Sequence, residues 1–525
     1  HLTGMHANTQ IPKVIGYKRI ADLEGYADWD KAAQYFWETV VDNRSITIGG
    51  NSVREHFHPA DDFSSMLESE QGPETCNTYN MLRLTKMLYE TTGDTHYMDY
   101  YERAVYNHIL STMNPIQGGF VYFTPMRAGH YRVYSQPQTS FWCCVGSGME
   151  NHARYGEMVY SHKGDSELFV NLFIPSVLKW GKTTVEQINS FPSEEGTTLV
   201  ISPEKARKFT VSIRVPEWAG NVAVKVNGAE ADAKAEGGFL KVTRKWSKGD
   251  KVEVSLPMSI RAVALPDQSD NYSFMYGPVV LAAEIGRQEQ LGMYADDSRG
   301  GHIAAGRQIP LQEMPVIVGS KDDIISLITK VEGKPMTFHL SGTAPAKYEN
   351  GMTLVPFSSL HECRYMVYWP VLSEDQWKER VARQEQEENA RVALEMVTAD
   401  KVTCGEQQPE SDHFVKMENS RNGDNNGRHW RMASRGGWFS YDMRTRGNEV
   451  KFLRITCTGR EGSEARVMMN GTEAGTLSVK TPNTEETILV PVPEEMQNAD
   501  VITVTVSTAQ DKMSPMIYEV RLVKE

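Results

Sequence analysis

The residues able to do chemistry gather in the first third of this 525-residue chain. Two of its six cysteines stand side by side in Ser140-Phe141-Trp142-Cys143-Cys144-Val145-Gly146-Ser147-Gly148. Such a pair reads in two ways. Free cysteine is among the most buried residue types, so both can be small core hydrophobes. A reactive thiol instead needs surroundings that stabilise its thiolate. Glu74-Thr75-Cys76 adds candidates for a shared site, because a Glu and a Cys two apart, just before a helix starts, can turn toward one point. With Cys143 and Cys144 the set is one carboxylate and three sulfurs. Four donors of that kind suit a tetrahedral, zinc-type site. The spacing is not that of the common zinc fingers, and a buried Glu ion pair with three unrelated core thiols is the competing account. A metal-ligated cysteine is a thiolate at neutral pH, and when weakly held it can act as a nucleophile. A partner acid is offered by Glu55 in the Gly-led loop Gly49-Gly50-Asn51-Ser52-Val53-Arg54-Glu55-His56-Phe57-His58, with Asp61 and Asp62 nearby. A lone loop Glu is more often simply solvated.

These residues need elements to position them. Residues 1–163 read as helical. Asp28 to Val41 sets Trp29, Ala32, Ala33, Phe36, Trp37 and Val40 on one stripe of helical period. Asn77 to Tyr89 turns Tyr79, Leu82, Met87 and Leu88 inward and stops at Gly93. Asp94-Thr95 caps a helix running to about Met113. A further helix fits Met149 to Tyr160. The long links Gly49–Pro73 and Pro115–Trp142 carry or border every residue singled out above, and loops of such length are often functional.

Near Ser161-His162-Lys163-Gly164-Asp165 the period falls to that of strands. Residues 164–290 read as a β-sandwich, 291–372 as a further sandwich region, 373–396 as a charged linker helix, and 397–525 as a C-terminal β-sandwich. Cys363, Cys404 and Cys457 lie in strand-like segments and read as core. Trp430, Trp438 and Phe439 look exposed enough to hold a sugar, although core or interface is the commoner use of such residues.

The totals exclude some classes. A formal net charge of -13 argues against a nucleic-acid partner, which requires a Lys/Arg surplus. No apolar run reaches the ~18 residues of a membrane-spanning helix. Six cysteines in this length are not a disulfide framework. The chain opens His1-Leu2-Thr3-Gly4, without a basic-then-apolar leader.

His6-Ala7-Asn8-Thr9-Gln10-Ile11-Pro12-Lys13, Gly49-Gly50 with Glu55, Glu74-Thr75-Cys76, Glu102-Arg103-Ala104-Val105-Tyr106-Asn107 and Cys143-Cys144 occur in this order. In this the chain resembles the β-L-arabinofuranosidases of glycoside hydrolase family 127 and its relative family 146, over residues 1 to about 290. The resemblance implies a multidomain α + β fold, the later part of an (α/α)6 toroid followed by β-sandwich domains. It implies retaining hydrolysis of terminal β-L-arabinofuranosides from plant-derived oligosaccharides or polysaccharides, through a glycosyl–cysteine intermediate. Zinc would be held by Glu74, Cys76, Cys143 and Cys144. Cys143 matches the nucleophile and Glu55 the general acid/base, although the loop between Glu55 and Glu74 differs in length from some relatives. His6, Glu102 and Tyr122 match positions that contact sugar hydroxyls or order the site. The family's long helical portion before His6-Ala7-Asn8 has no counterpart here, so a fragment is expected, and location outside the cytoplasm is expected from the family's role alone. Two other readings stand beside this one: a glycosidase of the same scaffold for another sugar, and a non-catalytic carbohydrate-binding protein with structural zinc.

Overall fold

The computed structural model describes residues 2–296, 300–425 and 428–525. The chain divides into two compact units, Met5–Ala382 and Arg383–Glu525, the latter grouped with the chain start.

The first unit begins with six helices: α1 (Ala7–Glu24), α2 (Ala27–Arg44), α3 (Ser64–Glu68), α4 (Thr75–Thr92), α5 (Thr95–Ala104) and α6 (Cys143–Ala153). Local signals set several of their ends. Gly93 adopts φ 70° and closes α4 with its N–H on the Tyr89 carbonyl. Asp94 then opens α5 by accepting from the His96 N–H at 2.9 Å. Trp37 sits at the centre of the packing. It is fully buried, its Nε1 donates to Thr85 Oγ1 at 2.8 Å, and its ring meets Tyr97 edge-on at 4.6 Å. Trp29, expected on the same buried stripe, is 41% exposed and packs on Tyr17 and Tyr26. The inward face of α2 is instead Ala33, Trp37, Val40, Val41 and Arg44.

Two further helix expectations change. The helix expected to run to Met113 leaves α-geometry at Ala104 and passes through a π-turn, Val105–Ile109. The cause is Asn107, whose Nδ2 donates to the Pro278 carbonyl at 2.8 Å and whose Oδ1 accepts from the Val280 N–H at 2.7 Å. The widened turn aims that amide at the strand Val279–Gly286. The helix expected over Met149–Tyr160 lies earlier, at Cys143–Ala153, and Tyr160 already opens a strand. Gly146-Ser147-Gly148 is a weak helix former, but tertiary contacts override propensity. A Cβ at Gly148 would lie 2.6 Å from Phe120, and Ser147 Oγ reaches Cys76 Sγ at 3.1 Å.

Among the described residues the strands of the first unit form three sheets. A five-stranded sheet (Tyr160–Lys163, Glu167–Val170, Arg207–Arg214, Phe239–Trp246, Lys234–Glu236) and a six-stranded sheet built around Gly196–Pro203 and Asp250–Ser255 share one core that includes Val185, Ile201, Phe209, Val211, Trp246 and Val252. Inward and outward residues alternate along Thr183–Ile188 and Gly196–Pro203, the pattern of a strand with one buried face. The third sheet differs from the expected division at residue 290. Its first strands, Ile260–Ala264, Asn271–Tyr276 and Val279–Gly286, pair with one another and with Met352–Pro356, Arg364–Met366 and Trp369–Leu372. Residues 260–286 therefore belong with the later strands up to Leu372 and not with the preceding sandwich.

A charged helix, α7 (Glu374–Val397), spans the division between the units. The second unit carries a nine-stranded sheet system with a core of Val402, Leu453, Ile455, Val504, Val520 and neighbours. Cys404 and Cys457 are fully buried there and Cys363 is buried in the first unit. Phe439, read as exposed, is fully buried in that core. Among the described residues no helix is long and apolar enough to cross a membrane.

Candidate active site

The starts of two helices bring four acidic side chains together. Glu74 is the extended residue before α4 and leaves its carboxylate uncommitted to capping. The chain there is fixed by Thr75, whose N–H donates to the Tyr122 carbonyl at 3.0 Å and whose Oγ1 donates to the Val121 carbonyl at 2.6 Å. Cys76 lies in the first turn of α4, and Cys143 and Cys144 open α6. One donor atom from each of Glu74, Cys76, Cys143 and Cys144 lies within 4.8 Å of all the others. Cys143 Sγ stands 3.7 Å and Cys144 Sγ 3.8 Å from Glu74 Oε1, and the two sulfurs are 3.9 Å apart. A tetrahedral zinc site with Zn–S near 2.3 Å spaces its sulfurs by roughly 3.8 Å. The Cys143–Cys144 edge matches that figure, and Cys76–Cys144, at 3.2 Å, is shorter.

The electrostatics also fit a cation. Burial pushes the Glu74 carboxyl well above its ordinary value, and the charges of Cys143 and Glu55 push the same way. Its second oxygen is buried without a hydrogen-bond partner. Burial likewise raises the Cys144 thiol, and the Cys76 thiol is raised, first through its hydrogen bond with Cys143. Cys143 alone is lowered, to about 2, by hydrogen bonds from Cys144 and then Cys76. Without a cation the cluster thus concentrates its negative charge on one sulfur, and that sulfur is the exposed one; the other two thiols are buried. These four donors suit zinc in number and type.

Glu55 faces the cluster from a tightly shaped loop. Gly49 has φ 88°, and a Cβ there would lie 2.8 Å from Ala104 Cα. Ser52, Arg54 and Glu55 all have positive φ (76°, 49° and 67°), a conformation that costs non-glycine residues energy and persists only where surrounding contacts enforce it. Those contacts include the Ala7 N–H on the Glu55 carbonyl at 2.8 Å and the Phe57 N–H on the Met5 carbonyl at 3.0 Å. The Glu55 carboxylate accepts a short hydrogen bond from the Tyr122 hydroxyl and lies 3.4 Å from His6 Nε2. Burial raises its pKa, but His6 and Tyr122 outweigh burial and hold it below the ordinary carboxylate value. Asn8 of the His6-Ala7-Asn8 motif donates to Glu74 Oε1 at 3.4 Å and is itself held by Asn80 at 2.8 Å. His6 and Tyr122 therefore both flank the Glu55 carboxylate. His58 and Asp62 serve the loop instead. His58 contacts the Pro59 carbonyl at 2.6 Å, and Asp62 accepts from the Ser64 N–H at 2.9 Å.

Glu102, expected from the resemblance to contact sugar or order the site, is corrected as to sugar contact: it is 1% exposed and both carboxylate oxygens face partners within the fold. Arg214 NH2 lies 2.6 Å from Oε1, and Trp218 Nε1 donates to Oε2 at 2.7 Å. Arg214, fully buried, also pairs with Asp99, so α5 is bolted to the five-stranded sheet. Arg214→Met strands the buried Glu102 carboxylate and the partly buried Asp99, and we expect it to lower the unfolding free energy by roughly 3–5 kcal/mol. Denaturant titration against wild type measures this, and a change below ~1 kcal/mol would contradict the bolt.

Sequence reasoning missed two contributors. Ser147 approaches Cys76 from the face of α6, a position that helical spacing from Cys143 gives once the helix start is known. His302 packs on Tyr122 with ring centroids 4.4 Å apart, and no motif surrounds it.

Residues 1–157 match the catalytic-domain model of GH127 β-L-arabinofuranosidases, and residues 167–258 match the middle-domain model of the same family. Residues 1–258 are family-127 glycoside hydrolase domains. The rest of the chain matches two families of unknown function, DUF4986 over residues 261–371 and DUF6805 over 393–523. Among solved structures it is similar to a GH127 β-L-arabinofuranosidase from Geobacillus stearothermophilus T6, with 19% identity and a TM-score of 0.53, covering 70% of this chain and 60% of that one. A second GH127 β-arabinofuranosidase gives 21% identity and a TM-score of 0.52 over 70% of this chain and 61% of that one. A protein described only as a glycoside hydrolase gives 18% and 0.53, over 71% and 67%. The likeness is one of fold, helices first and β-rich sheets after. The chain spans about three fifths of the length of the first two. No curated protein matches it.

Proposed function

We propose that this chain carries the catalytic residues of a retaining glycoside hydrolase that releases terminal β-L-arabinofuranosyl groups from plant-derived glycans, with Cys143 as nucleophile and Glu55 as acid/base. One observation carries the reading. Of the four clustered side chains three are buried, and the one exposed is Cys143, so only its sulfur is open to a sugar. A purely structural zinc site is closed on all sides, so this exposure also weighs against the non-catalytic alternative.

Each residue then has a task. Cys143 Sγ attacks the anomeric carbon as the bond to the leaving oxygen breaks, and Glu55 gives its proton to that oxygen. A water molecule then attacks the same carbon, Glu55 takes its proton, and Cys143 departs as thiolate. Two inversions restore the starting configuration. A bound zinc would offset half of the cluster's negative charge, keep its thiols deprotonated and favour Cys143 as a leaving group. In the free site His6 and Tyr122 hold Glu55 as carboxylate, its form for the second step. For the first step a sugar that displaces the remaining solvent raises its pKa by desolvation.

The test is hydrolysis of p-nitrophenyl β-L-arabinofuranoside, with proton NMR to identify the anomer released first and metal analysis of the same sample. We expect about one zinc per chain, β-anomer first, and loss of turnover with a chelator. Turnover of a different furanoside or pyranoside in its place would assign the scaffold to another sugar. Zinc bound in a protein inert to all of them would favour the non-catalytic reading.

A further inference from the structure

Two described stretches of the third sheet's domain, residues 287–296 and 300–310, run back to the cysteine cluster from within the segment matched by DUF4986. Their anchoring is strong. Arg364, fully buried, donates from Nε to the Gln288 carbonyl at 2.9 Å and from NH2 to the Glu289 carbonyl at 2.5 Å and the Arg307 carbonyl at 2.9 Å. Its NH1 donates to the Gly129 carbonyl at 2.8 Å, tying both stretches to the loop that leads from Tyr122 toward Cys143. Arg127, 2% exposed, donates to the Ile309 carbonyl at 3.0 Å. Tyr134 exchanges backbone hydrogen bonds with Met293 and Ala295 at 2.8 and 2.9 Å, and the Tyr131 hydroxyl bridges the Leu291 carbonyl and the Gly306 N–H at 2.6 and 2.7 Å.

Held this way, the second stretch presents His302 and Ile303 to the site. His302 is 7% exposed, and its ring lies 4.4 Å from Tyr122, 5.7 Å from Phe123 and 5.5 Å from Trp142, the residue before Cys143. Ile303 packs with Trp142 against Cys76, Tyr122, Phe123 and Cys144. Tyr122 is the donor to Glu55, so the direction of its ring sets where the Glu55 carboxylate stands.

We propose that His302 is a positioning residue for the Tyr122–Glu55 pair, and that the domain of residues 261–371 thereby supplies one wall of the sugar site. Its ring works by shape, packing against the phenol beside Phe123 so that the three rings brace one another. Ile303 covers the two buried thiols beside it. The kinetic consequence rests on the glycosidase reading above, while the covering of the thiols stands apart from it.

The test uses the full chain with His302→Ala, His302→Phe and Ile303→Ala. On p-nitrophenyl β-L-arabinofuranoside, His302→Ala is expected to lower kcat about 10- to 100-fold, the scale of a small misplacement of a catalytic group, with KM changed less than about threefold. His302→Phe keeps a flat ring and is expected to restore kcat to within about threefold of wild type. In chelator-treated protein, Ile303→Ala is expected to speed the reaction of Cys76 and Cys144 with a chromogenic disulfide reagent about tenfold, as cover is removed from buried thiols. His302→Ala with wild-type kcat, or His302→Phe as impaired as His302→Ala, would overturn the positioning role. Unchanged thiol rates in Ile303→Ala would overturn the wall. If wild type cleaves no glycoside, the functional reading fails and the thiol arm still decides whether this domain covers the cluster.

Discussion

Cys143→Ala is expected to lower kcat by at least about 10⁴-fold, the scale seen when a catalytic nucleophile is removed and only binding and electrostatic effects remain. The fold should survive, because Cys143 is the exposed member of the cluster and its loss leaves no cavity in a core. Glu74, Cys76 and Cys144 remain as three ligands, so zinc binding weakens without vanishing. Cys143→Ser should be nearly as inactive, since a hydroxyl at neutral pH is a far weaker nucleophile than a thiolate. Cys144→Ala is the informative contrast. Cys144 is fully buried, so its loss should reduce zinc content and thermal stability together with activity. Steady-state kinetics, metal analysis and a melting curve on the three variants separate the roles. A Cys143→Ala protein retaining more than about a tenth of wild-type kcat would place the nucleophile elsewhere.

Glu55→Gln is the second large effect. General acid–base assistance is worth about 10²–10⁴-fold, and here both half-reactions need it. The amide keeps the shape of the side chain and can still accept from Tyr122, so the loop with its three left-handed residues should stand. The loss should depend on the leaving group. A dinitrophenyl glycoside departs with little protonation, so its first step is largely spared while attack by water remains slow. A pentosyl adduct on Cys143 should then accumulate and appear in the intact mass. With an alkyl leaving group both steps fail and no adduct forms. The pH profile carries a sign set by the structure. His6 and Tyr122 hold Glu55 below its ordinary value in the free protein, and kcat/KM reports the free protein's ionisations. If the protonated form is required for the first step, kcat/KM falls as pH rises above that lowered pKa. The flat alkaline side expected for an unneeded proton would argue against Glu55 as the acid.

Local chemistry in this chain was legible and distant packing was not. Glu74, Cys76, Cys143 and Cys144 lie at helix starts, where two short segments suffice to aim four side chains, and the structure gathers all four. The loop alone offered Glu55 only as a candidate acid, the resemblance carried its role, and nothing in the loop announces φ 67° at Glu55 itself. Glu102 also came from the resemblance, and its partner Arg214 lies on a strand of the next domain, out of reach of any local pattern. His302 carried no local signal at all, since its place against Tyr122 is created by anchors at Arg127, Tyr131 and Arg364. The helix α6 was shifted because Gly146 and Gly148 lower helix propensity, and contacts of Ser147 with Cys76 and of Gly148 with Phe120 offset that deficit. The β-rich remainder was plain from alternation within strands. The sheet change before Ile260 was not, because alternation says which face is buried and not which strand lies alongside.

The three sulfurs have unequal fates under oxidation. Cys143 and Cys144 are neighbours in sequence, with Cα atoms about 3.8 Å apart across the peptide, closer than the ~4.4–6.8 Å usual for a disulfide. Cys76 and Cys144 come from different helices, and their sulfurs already stand 3.2 Å apart. An oxidant acting on a chain stripped of metal would meet the exposed Cys143 first and convert it to a sulfenic acid. Condensation with the Cys76 thiol, with loss of water, and exchange with Cys144 would then return Cys143 as a thiol and leave a Cys76–Cys144 link, visible in a non-reducing peptide map. Two donors would be lost, and added zinc would no longer bind. An ion held by these sulfurs would act as a redox guard by keeping all three as ligands.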